Sequence, residues 1–349
     1  MTTVASKLWG TLQSHPVYLY TLTNNHGNFV QITNYGAAIT SAIIHTPQGP
    51  VDVILGLKTP EEYQLSDAHF GACIGRVGNR IGRAVFTLNG QTFHLAANDG
   101  PNHLHGGVKG FDRHFFHIEE IPGGIRASRR SPDGEENYPG NLDVSVDYTF
   151  DDQNRLSLTY RGISDKDTIV NLTNHTYFNL SGEGSGDICS HLLTIDGDYI
   201  TENDANCLPT GRLLPVEHTA FDFRRSKAMG QDIGQQQEQL VFCRGYDHNF
   251  CLGGQGMRKV SRVLSPKTGI SMDVYTDMPG MQFYTGNFLT GQIGKSGTAY
   301  GPRSGFCLET QYYPNAMACP DFPSIVLKAG IPYFSQTIYA FDVSQESGQ

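Results

Sequence analysis

The chain has 349 residues, of which 38% are hydrophobic and 17% are charged, and its formal net charge is −9. This composition excludes a disordered chain, and the absence of an apolar run of about 18 residues excludes a predicted transmembrane helix. The acidic balance argues against nucleic acid and anionic membranes as partners.

The cysteines and the first residues of the chain bear on its location. Seven cysteines are scattered without a Cys-x-x-Cys pair, and this odd number indicates neither a disulfide framework nor a zinc site. Reduced thiols are typical of the cytosol. Residues 1–16 also lack the apolar segment of a signal peptide. We therefore expect a cytoplasmic protein.

Strand patterns run through most of the chain. Residues 84–95 carry apolar and aromatic residues on both sides of Asn89-Gly90, which predicts a hairpin with a type I′ turn. Alternating or β-branched patterns typical of further strands occupy residues 29–44, 142–150, 155–162 and 271–278. The tetrapeptide between the second and third of these ranges predicts another hairpin.

Helical patterns are few and short. Thr59, followed by Pro60 and two glutamates, is a helix start that predicts a short helix ending near Leu65. Residues 231–242 are a second candidate. The chain has no internal repeat, linker or change of composition. We therefore predict a single all-β domain over residues 1–349, a large antiparallel β-sandwich with a few short helices.

One histidine stands in a stretch that otherwise favours a strand, Thr-Asn-His-Thr-Tyr-Phe-Asn at residues 173–179. On a strand, alternate residues face the same side. The side that carries His175 then also carries Asn171, Thr173, Tyr177 and Asn179. Such a polar face fits either a solvated surface or the floor of a polar pocket. On this stretch alone, a surface or structurally bonded histidine is the simpler interpretation.

A second histidine cluster occupies residues 102–117. His103 and His105 are two residues apart and would share one face of a strand. A metal site would need a diagnostic ligand spacing, but Gly106-Gly-Val-Lys109 follows instead, so we expect no metal. Two other interpretations stay open: a glycine turn, or His105 placed for close approach of a ligand.

Three further stretches combine polar and apolar residues in an unusual way. Residues 76–84 place three arginines among glycines, without the Gly-Lys-Ser of a phosphate loop, so a solvated basic loop is the simpler interpretation. Asp247 lies between aromatic residues in 245–250, and Glu309 lies inside an apolar strand in 305–315. Glutamate is rarely buried unless it is paired or functional. Together the stretches supply the groups of an acid/base site for a sugar.

Seven segments, in this order, resemble the aldose 1-epimerase family, the galactose mutarotases. They are NYGAAITS, GRVGNRIGRA, NHLHGGVKGFD, NLTNHTYFNL, GYDHNF, MPGMQFYTGNFL and GFCLETQYYPN, and they span residues 34–315. The resemblance implies a galactose mutarotase-like supersandwich and the interconversion of α and β anomers of free aldohexoses, galactose or glucose. It also implies a monosaccharide as the partner and no cofactor.

The resemblance also implies roles for individual residues. Glu309 would be the base at the C1 hydroxyl, and His175 the acid that protonates the ring oxygen. The residues implied to bind the sugar are Asn79, Arg80, His105, Asp247 and Gln282, with His105 near the ring oxygen. Either Phe283 or Tyr284 would offer an apolar ring to the sugar.

The chemistry explains these residue types. Ring opening removes a proton from the anomeric hydroxyl and delivers one to the ring oxygen, so it needs a base and an acid near neutral pH. With ordinary pKa values of about 4.3 for glutamate and about 6.5 for histidine, Glu309 would be ionised and His175 could carry the proton. We therefore expect a bell-shaped pH dependence, with the low limb from Glu309 and the high limb from His175.

Three alternatives remain at this point. Glu309 and Asp247 could form the carboxylate pair of a glycosidase, although a histidine acid is unusual there. A non-catalytic sugar-binding protein would need no acid and base at C1. A hexose-phosphate epimerase would need additional cations for the phosphate, and the acidic composition gives no sign of them.

Overall fold

The computed structural model describes residues 2–344, and most of these form β-strands. In chain order the strands are β1 (Thr3–Leu12), β2 (His15–Thr23), β3 (Phe29–Thr33), β4 (Ile39–Thr46), β5 (Gly49–Asp52), β6 (Cys73–Ile74), β7 (Arg80–Ile81), β8 (Val85–Leu88), β9 (Gln91–His94), β10 (His103–Leu104), β11 (His117–Ile121), β12 (Gly124–Ser131), β13 (Leu142–Phe150), β14 (Arg155–Ser164), β15 (Thr168–Ile169), β16 (Thr173–Asn174), β17 (Leu192–Ile195), β18 (Gly197–Asn203), β19 (Pro209–Pro215), β20 (Lys227–Ala228), β21 (Asp247–Leu252), β22 (Arg258–Leu264), β23 (Ile270–Thr276), β24 (Gly280–Tyr284), β25 (Gln292–Ile293), β26 (Ala299–Tyr300), β27 (Cys307–Gln311), β28 (Val326–Leu327) and β29 (Tyr333–Val343). The helices are α1 (Pro60–Leu65) and α2 (Glu238–Cys243), with 3-10 turns at Gly82–Ala84, Phe111–Arg113, Glu135–Asn137 and Ala316–Ala318.

Three large sheets organise these strands. Strands β1 to β5 form a five-stranded meander. A nine-stranded sheet has the order β11-β12-β13-β14-β29-β23-β22-β17-β20, and a second five-stranded sheet has the order β19-β18-β21-β24-β27. Within residues 2–344, the strand pairings of these sheets are antiparallel. The predicted all-β antiparallel sandwich is therefore confirmed.

One buried hydrophobic cluster takes side chains from all three sheets, for example Val30, Tyr148 and Phe283. The alternation expected at residues 142–150 is present, since β13 turns its apolar residues into this cluster. Strands of an antiparallel sheet that packs one face on a core alternate apolar and polar residues in this way. The assignment of residues 1–349 to a single domain stays a prediction.

The strongest local signals are confirmed. Asn89 and Gly90 have φ values of 50° and 79° and join β8 to β9, as a type I′ turn requires. Helix α1 begins after Thr59, whose hydroxyl accepts a hydrogen bond from the Glu62 N–H at 3.3 Å. The Glu62 carboxylate in turn accepts a hydrogen bond from the Thr59 N–H, which completes a capping box. The second predicted helix is shorter than residues 231–242, because Gln235 closes a turn onto Asp232 and helix α2 begins only at Glu238.

The predicted strand around His175 is wrong. Only Thr173–Asn174 pairs as a strand, with Cys73–Ile74, and His175 lies beyond its end. His175 keeps backbone hydrogen bonds to Gly71 and Ala72 at 2.9 and 3.0 Å, and the Asn174 side chain also donates to the carbonyl oxygens of these two residues, at 2.8 and 3.3 Å. The segment is buried rather than solvated, which leaves the floor of a polar pocket as the interpretation that fits.

Candidate active site

A cavity of about 510 Å³ lies over one face of the second five-stranded sheet. Its polar and aromatic wall residues include His69, Asn79, Arg80, Asp99, His105, His175, Tyr177, Asp247, Tyr284 and Glu309. The volume is in the range of small-molecule sites, about 300–1,000 Å³. The cavity collects residues from stretches far apart in the sequence, and the predicted acid and base are both in its wall.

Strand register places the carboxylates of the cavity. Glu309 on β27 pairs with Gln282 on β24, which pairs with Asn249 on β21. Two residues along, and so on the same face, Asp247 on β21 pairs with Tyr284 on β24. Side chains of directly paired residues stand on the same side of a sheet. The otherwise apolar strand therefore points Glu309 away from the core and toward the cavity.

Glu309 is a buried carboxyl group with unused hydrogen-bonding capacity. Its Oε2 has no hydrogen-bond partner among residues 2–344. Burial, and then the negative charge of Asp247, raise the pKa of Glu309 well above its usual 4.5, while Arg80 opposes the shift. A carboxyl group in this environment holds its proton more tightly than a solvated one.

His175 is the nearest titratable partner of Glu309. Its Nε2 is 3.9 Å from Glu309 Oε1, and its Nδ1 is 3.5 Å from the sulfur of Cys307. Burial, and then the neighbouring His69, lower the pKa of His175 from 6.5 to about 3. The imidazole is therefore neutral at neutral pH in the free protein.

These two shifts reverse the order of the pKa values expected from the sequence. An ionised Glu309 beside a protonated His175 was expected, but burial disfavours the charged form of both groups. In the free protein Glu309 therefore holds a proton more tightly than His175 does. Because the two groups are 3.9 Å apart, their apparent pKa values belong to the pair.

His105 stands beside His175, with ring centroids 5.2 Å apart. The N–H of Asn79 donates to His105 Nδ1 at 3.2 Å, so the neutral ring carries its proton on Nε2. Burial, and then His69 and His175, hold the pKa of His105 well below 6.5. His105 is thus a fixed, neutral hydrogen-bond donor in the cavity wall.

The expected shared face of His103 and His105 is wrong. His103 lies behind the cavity wall, with Nδ1 2.8 Å from the oxygen of Ala96 and Nε2 2.7 Å from the hydroxyl of Tyr138. His105 has a φ of 52°, which turns the chain out of β10. Gly106 follows at a φ of 85°, where a Cβ would lie 1.8 Å from the carbonyl oxygen of Gly75. The glycine turn and the ligand-facing histidine, which were separate interpretations, are both present.

Arg80 and Asp247 form a charged corner of the cavity. Arg80 donates to Asp99 at 2.7 Å, and its NH1 is 3.9 Å from Asp247 Oδ2. Burial raises the pKa of Asp247, while Arg80 and Gln282 oppose the rise. Asn79 precedes this arginine in the wall, and its side chain accepts from the Arg80 N–H at 2.8 Å.

Gln282, Phe283 and Tyr284 lie at different distances from the cavity. Gln282 donates to Asp247 Oδ1 at 2.6 Å and lies behind Asp247, outside the wall that the described residues form. Its direct contact with a sugar stays a prediction, but its hold on Asp247 is clear. Tyr284 lines the cavity, whereas Phe283 points into the core and stacks on Tyr246 at 5.1 Å.

The sequence analysis missed His69. Its Nδ1 is 2.9 Å from Asp112 Oδ2, and its ring lies 4.9 Å from His105 and 5.8 Å from His175. A lone histidine after the first helix gave no signal, because its partners come from other parts of the chain.

The same cluster has donor atoms that a cation could use. The nitrogen and oxygen atoms of His105, His175 and Glu309 lie within 4.8 Å of one another. A base, an acid and a hydrogen-bond donor that all act near one atom of a sugar would also have to lie this close together. The expectation that no metal is used stays a prediction.

Comparisons with known proteins identify the family of this chain. The family model described as aldose 1-epimerase matches residues 18–340. Galactose mutarotase from Sus scrofa is 45% identical over 318 residues, covering 90% of this chain and 91% of that protein. Aldose 1-epimerase from Escherichia coli is 38% identical over 332 residues, covering 93% and 95%.

A solved structure shows the same fold. The galactose 1-epimerase of Lactobacillus acidophilus superposes with a TM-score of 0.87 at 28% identity, covering 99% of this chain and 100% of that one. Within residues 2–344, no helix is both long and apolar enough to span a membrane. From the family match over residues 18–340 and the identities above, the chain belongs to the aldose 1-epimerase family.

Proposed function

We propose that this protein interconverts the α and β anomers of free aldohexoses, with galactose and glucose as the first candidates. Membership of the aldose 1-epimerase family supports this activity. The observation that carries the proposal is the pair of His175 and Glu309, whose Nε2 and Oε1 atoms lie 3.9 Å apart at the floor of a cavity of sugar size.

In the proposed reaction, Glu309 accepts the proton of the C1 hydroxyl while His175 gives a proton to the ring oxygen. The bond between C1 and the ring oxygen breaks, and C1 becomes an aldehyde. Rotation about C1–C2 then allows the ring oxygen to attack the other face of the carbonyl, and both protons return. The reacting state needs a proton on His175 and an ionised Glu309. A sugar hydroxyl at the unpartnered Glu309 Oε2 would favour it by hydrogen bonding to the carboxylate.

The remaining wall residues would bind and orient the sugar. His105 presents an Nε2–H donor next to His175 and would stabilise charge developing on the ring oxygen. Asp247 and Arg80 offer an acceptor and a donor for hydroxyls, and Asn79 adds an amide. Tyr284 supplies the apolar ring that a sugar face requires. Gln282 would act by holding Asp247 in place.

A phosphorylated sugar fits the cavity less well. Arg80 is the only lysine or arginine in the cavity wall formed by residues 2–344. It already faces Asp99 and Asp247. A phosphate would find no unpaired cation there, which favours a neutral monosaccharide.

No cofactor is part of the proposal, because the ring-opening chemistry is proton transfer alone. Dialysis against a strong chelator should leave activity intact. Loss of activity that returns with added zinc or manganese would show that the histidine cluster needs a cation. We also propose a cytoplasmic location, which is supported by the seven cysteines, all of them free thiols.

Polarimetry tests the proposal directly. Fresh α-galactose and α-glucose solutions should relax to their equilibrium rotation faster with the protein than without it. Unchanged relaxation at micromolar protein for galactose, glucose, xylose and arabinose would contradict the function. Release of nitrophenol from an aryl glycoside would favour a glycosidase instead.

A further inference from the structure

Two buried thiols lie behind the cavity wall next to Asp247. Cys207 is in the turn between β18 and β19, and Cys243 is the last residue of α2. Their sulfur atoms and a carboxylate oxygen of Asp247 all lie within 4.8 Å of one another. Asp247 lines the cavity, whereas both cysteines lie outside the wall that the described residues form. Asp247 thus has the sugar cavity on one side and two thiols on the other.

We propose that Cys207, Cys243 and Asp247 form a binding site for a thiophilic divalent cation with the chemistry of Zn²⁺. Zinc takes thiolate sulfur at about 2.3 Å and carboxylate oxygen at about 2.0–2.2 Å, which puts tetrahedral ligand atoms roughly 3.5–3.8 Å apart. Ligand atoms within 4.8 Å of one another therefore need only a small closure. Water or a group on the cavity side would complete the four ligands.

Hydrogen bonds hold Cys243 and Asp247 in this arrangement. The side-chain amide of Asn203 donates to the Cys243 sulfur at 3.6 Å and to the backbone oxygen of Asp247 at 3.1 Å. Gln239 exchanges two hydrogen bonds with the Asn203 backbone, at 2.8 and 2.9 Å. Because outer hydrogen bonds of this kind orient ligands, the site is prepared by β18 and α2 rather than by the ion.

The local charges suit a divalent cation. Both cysteines are free, buried thiols. Binding would release both thiol protons to solvent. Two thiolates, one carboxylate and one divalent cation leave a single negative charge. The guanidinium of Arg80, 3.9 Å from Asp247, would offset that charge.

The consequence for sugars rests on the function proposed above. An ion bound by Asp247 would compete with the hydroxyls that this carboxylate is proposed to bind. The cation would therefore inhibit mainly by raising KM, and a saturating sugar would weaken the binding of the ion. Glu309 and His175 would keep their arrangement, so kcat should change less than KM.

Cobalt titration of the full-length protein tests the site. Co²⁺ bound by thiolates gives a sulfur-to-metal absorption band, which a site of histidine and carboxylate lacks. We expect one equivalent of Co²⁺ to produce the band and Zn²⁺ to displace it. Cys207→Ser and Cys243→Ser should each lower Co²⁺ affinity by more than about 100-fold, since even outer partners of metal ligands contribute about 10–100-fold.

Controls separate this site from the acid/base cluster. Cys251→Ser removes a buried thiol from the same strand as Asp247 and should keep the band. Without metal, Cys207→Ser should keep wild-type activity and lose inhibition by Zn²⁺. The absence of the band in active wild-type protein, or its persistence in folded Cys207→Ser, would overturn the cation site. Binding without the band that is lost in His175→Asn would place the ion on the histidine cluster instead.

The two proposals can fail separately. A cobalt band with an unchanged KM would keep the cation site and contradict the proposed contact of Asp247 with sugar. An active epimerase that binds no Co²⁺ would keep the proposed function and contradict the cation site.

Discussion

Two concave regions of this protein differ in a way that separates a reactive site from an ordinary surface. One is the cavity that contains Glu309, about 510 Å³ in volume. The other, the sheet depression, lies on the nine-stranded sheet and measures about 790 Å³. The residues that line the sheet depression include Arg126, Arg129, Arg130, Asp143, Arg161, Tyr333 and Phe334. The larger concavity is not the one that carries the acid and base.

The carboxylates of the two regions have different partners. Arg126, which lines the sheet depression, donates two hydrogen bonds of 2.6 and 2.8 Å to the carboxylate of Asp147. The Arg126 side chain is 37% exposed. In the cavity, Glu309 has His175 Nε2 at 3.9 Å, and its Oε2 has no hydrogen-bond partner among the described residues. Burial without a full set of partners shifts pKa values and so makes a group reactive. The size of a concavity says nothing about this property.

The largest expected effect is at Glu309. Glu309→Gln keeps the size of the side chain but removes the base, so kcat should fall by roughly 10²–10⁴. Asp147→Asn makes the same carboxyl-to-amide change at the sheet depression and should leave kcat unchanged. Polarimetry measures both variants, with circular dichroism to check folding. A folded Glu309→Gln protein with wild-type turnover would remove Glu309 as the base.

His175→Asn should cost a comparable factor, because an asparagine cannot deliver a proton to the ring oxygen. The double variant with Glu309→Gln should lose little more than either single variant, since both residues serve one proton-transfer sequence. Kinetics of the three variants measure this. Losses that multiply would show that the two residues act independently.

Asp247→Ala should act mainly on binding. A hydrogen bond to a charged group is worth about 1.5–3 kcal/mol, so kcat/KM should fall roughly 10–100-fold, with KM raised. Removal of Asp247 also leaves the Gln282 amide without its acceptor. An unchanged KM would mean that Asp247 does not contact the sugar.

The pH profile tests the reversed order of pKa values. His175 has a pKa of about 3, and the pKa of Glu309 is raised well above 4.5. His175 gains a proton beside a protonated Glu309 only when the pH falls through the lowered pKa of His175. We therefore expect kcat/KM to stay constant as the pH is lowered toward 4 and to fall near about pH 3. The alkaline limb should then reflect loss of the Glu309 proton. An acid limb near 6.5, the usual pKa of histidine, would contradict this assignment.

His69 gives a smaller and more specific effect. Its charge is one of the causes that lower the pKa of His175. His69→Asn should therefore move the acid limb upward while kcat falls by less than about tenfold, below the usual range for a direct acid or base. Asp112→Asn removes a negative charge that raises the pKa of His175, so it should move the acid limb in the opposite direction, downward. An unmoved acid limb would leave His69 with a structural role only.

The smallest effect is expected at the sheet depression. Arg126→Ala removes a partly exposed ion pair with Asp147, and such pairs contribute about 0–1 kcal/mol. Activity and KM should stay at wild-type values. A changed KM for a monosaccharide would mean that the sheet depression also takes part in sugar binding.

Much of this fold follows from local sequence alone. The Asn89-Gly90 turn, the cap at Thr59 and the alternation in residues 142–150 are each set by residues within one turn or one strand. The two candidate residues His175 and Glu309 were also visible, because a histidine and a glutamate in apolar surroundings conflict with their local structure. Their roles came from the resemblance to a family and not from the pattern itself.

The tertiary structure decided how these groups behave. His103 and His105 differ only because a positive φ at His105 turns the chain, which spacing does not reveal. His69 joins the site through Asp112, from a separate turn of the chain. The order of the Glu309 and His175 pKa values reversed because burial disfavours charge on both groups. Burial depends on stretches between residues 65 and 309 that pack together around the cavity, and no local stretch of sequence specifies it.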